Sequence, residues 1–134
     1  MNRQQAEDFV KSHKSTVLVT IAKDGRPQTS NVLTTYHDGK LLLSTTESTA
    51  KYRNLRRDPR VTAHLLGDNF WQWLAVEGTV TLTHMPDALP GLHTYYESAT
   101  GGPHADWAEY DEAMKKERRV LGTISLERMY PLEG

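Results

Sequence analysis

The sequence predicts a mainly β domain in which an antiparallel sheet closes toward a barrel, with a few helices around it. Three observations carry that expectation. Asp24-Gly25 and Asp38-Gly39 each separate two β-rich runs, and Asp-Gly supplies the positive φ that tight hairpins need. Runs rich in Val, Thr and Ile recur along the chain between short segments patterned for helix. Closure of such a sheet removes exposed strand edges, which favours a barrel over an open sheet.

Residues 2–14 read as a short amphipathic helix, with Asn2 as its cap and Ala6, Phe9 and Val10 on one face. Strands follow over 15–22, 27–36 and 41–46, joined by the two Asp-Gly turns into an antiparallel meander. Residues 48–57 are polar and rich in helix formers, with Ser48 and Thr49 at the start. Asp58-Pro59 ends that helix, because the residue before proline avoids the helical region. A fourth strand spans 60–66. After a break at Gly67-Asp68-Asn69, a long fifth strand spans 71–83, with Gly78 as a bulge candidate. Two helices, 86–98 and 104–118, flank the breaker Gly101-Gly102-Pro103, and 120–130 is the last strand.

The 134 residues suit one domain spanning 1–134. With 37% hydrophobic and 25% charged residues, the chain has the balance of a folded protein rather than a disordered one. The absence of cysteine excludes disulfides, thiolate metal sites and a cysteine nucleophile. A net charge of −1 gives no general attraction to nucleic acid. Nothing in the sequence approaches the roughly 20 apolar residues of a membrane span, and no signal core precedes residue 14. A cytoplasmic location is expected. The six histidines lack metal-ligand spacing, and there is no Gly-x-Ser-x-Gly. With no evident acid, base or nucleophile, any enzymatic chemistry is expected to come from a cofactor that the protein positions.

Three clusters could serve such a cofactor. Residues 48–57 (Ser-Thr-Ala-Lys-Tyr-Arg-Asn-Leu-Arg-Arg) begin where a strand gives way to a helix. Free N–H groups of a helix start, two hydroxyls and the Lys51 ammonium suit a phosphate, though the same pattern also suits a capped, solvated helix. On the second strand, alternation puts Gln28, Ser30 and Val32 on one face and Thr29 and Asn31 on the other. Those polar groups fit a heteroaromatic ring or a solvated edge. Trp71 and Trp73 are expected on one strand face, as core, dimer seam or stacking wall.

Several segments occur together in one order: Gly25-Arg26-Pro27-Gln28, Ser30-Asn31-Val32, Leu42-Leu43-Ser44-Thr45-Thr46, Ala50-Lys51-x-Arg53-Asn54-Leu55-x-Arg57-Asp58-Pro59-Arg60-Val61, Val76-Glu77-Gly78-Thr79-Val80 and Arg119-Val120-Leu121. In this the chain resembles the pyridoxamine-5′-phosphate-oxidase-like split-barrel superfamily, and within it the flavin/deazaflavin oxidoreductases (type B) that use coenzyme F420. The resemblance implies a six-stranded antiparallel split β-barrel of the FMN-binding type, and a homodimer with cofactors in the seam. It implies a cofactor site of Gln28, Ser30, Asn31, Val32, Thr45, Thr46, Thr49, Ala50 and Lys51, with Arg53, Asn54 and Arg57 beside it and Trp73 and Ala75 approaching from the other subunit. It further implies an F420H2-dependent reductase passing a hydride to a planar conjugated small molecule such as a quinone, unsaturated lactone or biliverdin-like tetrapyrrole. That substrate would stack against Trp73 or Trp107, with a proton from solvent, Ser30 or Tyr36. The alternatives are an FMN-dependent oxidoreductase and a non-enzymatic F420 or haem carrier, with His64 or His84 as axial ligands. Two departures bear on FMN. Family oxidases place an Arg beside the phosphate lysine, where this chain has Ala50, and an Arg where Ser30 stands. The chain also lacks their substrate-reading tail, ending Ile124-Ser125-Leu126-Glu127-Arg128-Met129-Tyr130-Pro131 before its last residues.

Overall fold

The computed structural model describes residues 1–132. The elements are α1 (Arg3–Ser12), β1 (Ser15–Ile21), β2 (Pro27–Leu33), β3 (Thr35–His37), β4 (Lys40–Thr46), α2 (Ala50–Arg57), β5 (Arg60–Leu66), β6 (Trp73–Thr83), α3 (Leu89–Thr100), α4 (Trp107–Lys116), β7 (Arg119–Ser125) and β8 (Arg128–Tyr130). Every strand pairing is antiparallel. The order is β2-β1-β5-β6-β7-β4-β3, with β8 on β6. Its two ends, β2 and β3, are consecutive in the chain with Thr34 alone between them, so the sheet must curl back on itself. Among the described residues the architecture is mainly β with four helices, and the curled sheet forms a half-barrel consistent with a split barrel.

The expected six strands are eight here, because two long runs each bend. Thr34 is the last residue to follow β1 before Thr35 joins β4: its N–H donates to the Lys14 carbonyl at 2.9 Å, in register with the β1–β2 pairing, and its hydroxyl meets that of Thr16 at 2.8 Å. The expected three-strand meander is corrected accordingly. β2 pairs with β1, β3 pairs with β4, and these hairpins end up at opposite ends of the sheet order. The last run bends at Leu126-Glu127, where the Glu127 N–H reaches the Glu77 carbonyl at 3.0 Å. β8 then pairs with β6 instead of prolonging β7.

Local chemistry explains the helices. α1 carries a reciprocal capping box between Asn2 and Gln5 and buries Ala6, Phe9 and Val10, as its pattern predicts. α4 begins at the Asp106 cap, three residues beyond Pro103. Two apolar clusters result. One fills the barrel, with Leu18, Leu43, Leu65, Leu74 and Ile124 among its fully buried members. The other lies under α3 and α4, built on Leu42, Ala88, Leu92, Tyr110 and Leu121. Gly78 sits where β6 passes from one half of the sheet to the other. A Cβ there would lie 1.8 Å from the Ser125 carbonyl oxygen, so close passage rather than a bulge explains the glycine. No helix among the described residues is long and apolar enough to cross a membrane.

Candidate functional site

α2 starts one residue later than its hydroxyl pair suggests. Thr49, not Ser48, is the cap: its Oγ1 accepts from the Tyr52 N–H at 3.3 Å and donates to the Thr46 carbonyl at 3.0 Å. Since that single proton is committed, the buried Thr45 hydroxyl donates to Thr49 Oγ1 at 2.9 Å. Thr46 and Ser48 share a second hydroxyl pair at 2.9 Å. The strand end and helix start are thereby tied through hydroxyls, and Ala50 and Lys51, whose N–H groups have no partner within the helix, line a small cleft.

That cleft, of about 120 Å³, is lined by Thr20, Gln28, Thr29, Ser30, Thr49, Ala50 and Lys51. Its floor is a polar lock. Asn54, buried on α2, donates through Nδ2 to Thr20 Oγ1 at 3.0 Å and to Gln28 Oε1 at 2.5 Å. Arg57 donates to Asn54 Oδ1 and to the Ile21 carbonyl, both at 3.0 Å. Helix α2 and the β1–β2 hairpin are held in register by four polar residues that satisfy one another. Lys51 is half-buried, and among the described residues no protein acceptor takes its ammonium. It is the single cation lining the cleft. Arg53 bonds the Ser48 carbonyl at 3.1 Å, and Arg56 lies over the Tyr52 ring. Arg60 is bound to Asp58 at 2.8 Å, and that guanidinium holds the Asp58 carboxyl below its ordinary range.

The structure thus brings Gln28, Ser30, Thr49, Ala50 and Lys51 around one cleft, with Thr45 and Thr46 behind it. Asn54 and Arg57 serve its framework. The expected alternation on β2 holds: Gln28, Ser30 and Val32 pair with the buried Thr20, Leu18 and Thr16. Asn31 and Val32 line a second cleft of about 460 Å³ with Ser15, Thr16, Leu33 and Leu66. Trp73 and Ala75 lie on β6, which β1 and β5 separate from β2 in the sheet order. Trp73 stacks on His64 at 5.1 Å, and Ala75 is buried on β6 between β5 and β8, opposite His64 on one side and Tyr130 on the other. Trp71 does not share their strand. An Asx turn, with the Trp71 N–H on Asn69 Oδ1 at 2.9 Å, carries the loop through Gln72 and leaves Trp71 83% exposed beside Phe70. Tyr36 sits under the Lys11 ammonium and does not line the small cleft. His84 Nε2 is engaged by the Tyr52 hydroxyl at 2.8 Å.

Sequence reasoning missed Thr20 in the small cleft, and it set Thr29 on the strand face opposite Gln28 and Ser30, although all three line the cleft. Thr20 is one polar position on the inward face of an apolar strand, which is the signal that would have found it. It missed a whole cavity as well. About 450 Å³ opens among Leu33, Ser44, Tyr95, Tyr96, Ala99, His104, Glu109, Tyr110, Ala113, Met114 and Arg119. Trp107 stands behind it, stacked on His93 at 4.0 Å, and His93 Nε2 meets Asp111 at 2.5 Å. Burial raises the Tyr95 phenol and pushes Tyr110 up to about 12, so both stay neutral donors. Tyr95 donates to the Leu33 carbonyl at 2.9 Å, and Tyr110 to that of Leu92 at 3.0 Å.

Comparison with known proteins bears on the fold that carries these residues. The pyridoxamine 5′-phosphate oxidase family model matches residues 3–131. A conserved hypothetical protein from Mycobacterium tuberculosis is similar at 30% identity, with 96% of this chain and 82% of that one covered at a TM-score of 0.79. An F420 reductase is similar at 23% identity, with 92% and 94% covered at 0.68. The haem storage protein of Vibrio cholerae is similar at 15%, with 97% and 94% covered at 0.72. The last two likenesses speak to the fold alone. Since the family model spans nearly the whole chain and the first relative is similar across it, this chain belongs to the pyridoxamine 5′-phosphate oxidase family.

Proposed function

We propose that this protein is a cytoplasmic, homodimeric F420H2-dependent reductase that holds the deazaflavin across β2, with the phosphate arm at the start of α2. The observation that carries this reading is the single unpartnered cation of the small cleft. FMN ends in a phosphomonoester, which bears close to two charges at neutral pH. F420 carries a phosphodiester, which bears one. Lys51 and the N–H groups that Ala50 and Lys51 bring to the start of α2 suit the second better. Ala50 supplies no further charge where family oxidases have an arginine.

Other residues fit the same group. Ser30, Asn31 and Val32 follow the phosphate end along β2, and three residues of strand cover roughly 10 Å, about the length of a tricyclic ring. Arg53 and Arg56 are exposed on α2 and suit the carboxylates of a poly-glutamate tail, whereas Arg57 and Arg60 are committed within the protein. The face bearing Leu33, 48% exposed, and Leu66, 43% exposed, suits a second copy. That copy would bring Trp73 of the partner subunit toward the ring, whereas Ala75 is buried within its own protomer and would act only by shaping the strand that carries Trp73. Reduced deazaflavin supplies a hydride to an electrophilic conjugated carbon. The protein's part is to fix the ring by hydrogen bonds on one edge and to exclude water from the seam. The haem reading has less to stand on, since His84 is held by Tyr52 and His64 by the Trp73 ring.

Titration of purified protein with F420, followed by quenching of the deazaflavin fluorescence, tests this. Saturable micromolar binding is expected, and Lys51→Ala should weaken it about 10- to 100-fold without lowering the melting temperature. No F420 binding at micromolar protein would overturn the reading.

A further inference from the structure

We propose that the cavity enclosed by α3, α4 and the β4–β7 pair is the substrate pocket and that it selects planar conjugated molecules carrying an acidic group. Its identity as a substrate pocket rests on the F420 reading; its binding chemistry stands on its own walls. At about 450 Å³ it has the size of small-molecule sites. Tyr95, Tyr96, His104 and Tyr110 give it aromatic surfaces, and Ala99, Ala113 and Met114 keep the rest apolar. The rings are braced against one another: Tyr96 meets Tyr110 at 5.3 Å and His104 at 5.0 Å, and Trp107 meets Tyr110 at 5.3 Å. Such walls offer faces and edges to a flat ring at little conformational cost.

The acidic group is argued from Arg119. It lines the cavity from the start of β7. Glu117 takes its Nε and Nη2, and among the described residues no acceptor takes Nη1. Its charge is felt at both buried phenols, where it favours the ionised form against the effect of burial. Glu109 also lines the cavity, from the exposed first turn of α4, and would oppose a second acid on that side. A ligand with one acid directed at Arg119 satisfies both. The cavity adjoins the proposed ring site, because Leu33 lines both this cavity and the cleft holding Asn31 and Val32.

A matched pair of quinones tests the proposal by calorimetric titration: 1,4-naphthoquinone-2-sulfonate and neutral 1,4-naphthoquinone. The wild-type protein should bind the sulfonate more tightly. Arg119→Gln should weaken the sulfonate about 10-fold and leave the neutral quinone and F420 unchanged. Ala99→Phe, which narrows the cavity, should weaken binding of both quinones about 10-fold while F420 still binds. A sulfonate affinity indifferent to Arg119→Gln and to Ala99→Phe would overturn the proposal. Arg119-dependent sulfonate binding in a protein that takes up no F420 would instead overturn the cofactor reading, leaving the cavity as a site for planar acids.

Discussion

The two ends of β2 meet two differently built regions. At its start, the small cleft is made of hydroxyls, an amide and one ammonium, and its shape depends on Asn54 satisfying Thr20 and Gln28 together. Near its end, the larger cavity is made of rings whose positions depend on burial and edge-to-face packing over Leu92 and Leu121. The first can recognise a charged arm because each donor is aimed. The second can accept varied flat molecules because aromatic surface is tolerant of what lies on it. A cofactor end and a substrate end are expected to differ in just this way: one partner is constant, the other varies.

The largest effect should come from neither region but from the point on β6 where the two halves of the sheet that carry them meet. Gly78→Ala places a methyl against the Ser125 carbonyl, which cannot move without parting β6 from the Ser125–Glu127 bend. A loss of about 3 kcal/mol or more is expected in urea unfolding, together with loss of ligand binding at both ends. Retained stability would show that the halves of the sheet are less tightly joined than the register implies.

Two substitutions should then separate the regions. Leu92→Ala empties a fully buried site under the aromatic cavity and should cost about 3 kcal/mol, weakening planar ligands while sparing F420. Asn54→Ala strands Thr20, Gln28 and Arg57 and should cost about 2–3 kcal/mol, weakening F420 while sparing planar ligands. Titrations on both variants check this, and crossed effects would merge the two regions into one.

The smallest effect concerns pH and belongs to the aromatic region alone. Tyr110 titrates at about 12, above the usual value of a phenol, so the folded chain holds that proton more tightly than the unfolded one. Its contribution is complete below pH 10 and lost as pH rises from 10 toward 12. Melting temperature should therefore fall across that window, and less steeply in Tyr110→Phe. Identical slopes would assign the alkaline loss to other groups.

How much of this could be read from the sequence differs between the regions too. Asp38-Gly39 adopts positive φ at both residues, and Asp24-Gly25 closes its turn with the Gly25 N–H on Ala22, as Asp-Gly predicts. The cleft residues were legible because they lie on one hairpin strand and one helix start, both local patterns. Thr34 was not, since Asn-Val-Leu-Thr-Thr-Tyr contains no breaker; its bend depends on Lys14 and Thr16, distant in sequence. Trp71 was misplaced because Asn69 was read as the end of a break, whereas its side chain starts a further turn. The aromatic cavity was invisible for a similar reason. Tyr95 and Tyr96 come from α3, His104 from the loop after it, Tyr110 from α4 and Arg119 from the strand that follows, so only packing reveals that they share a space.

The central claim is that one cation in the small cleft matches a singly charged phosphate arm. Measuring the ratio of F420 to FMN affinity in the wild-type protein and in Ala50→Arg tests it most directly. The account predicts that the wild-type protein favours F420 at least about 10-fold, and that the added guanidinium improves FMN by about 10-fold while changing F420 little. A wild-type protein that binds FMN as tightly as F420, or more tightly, would contradict it.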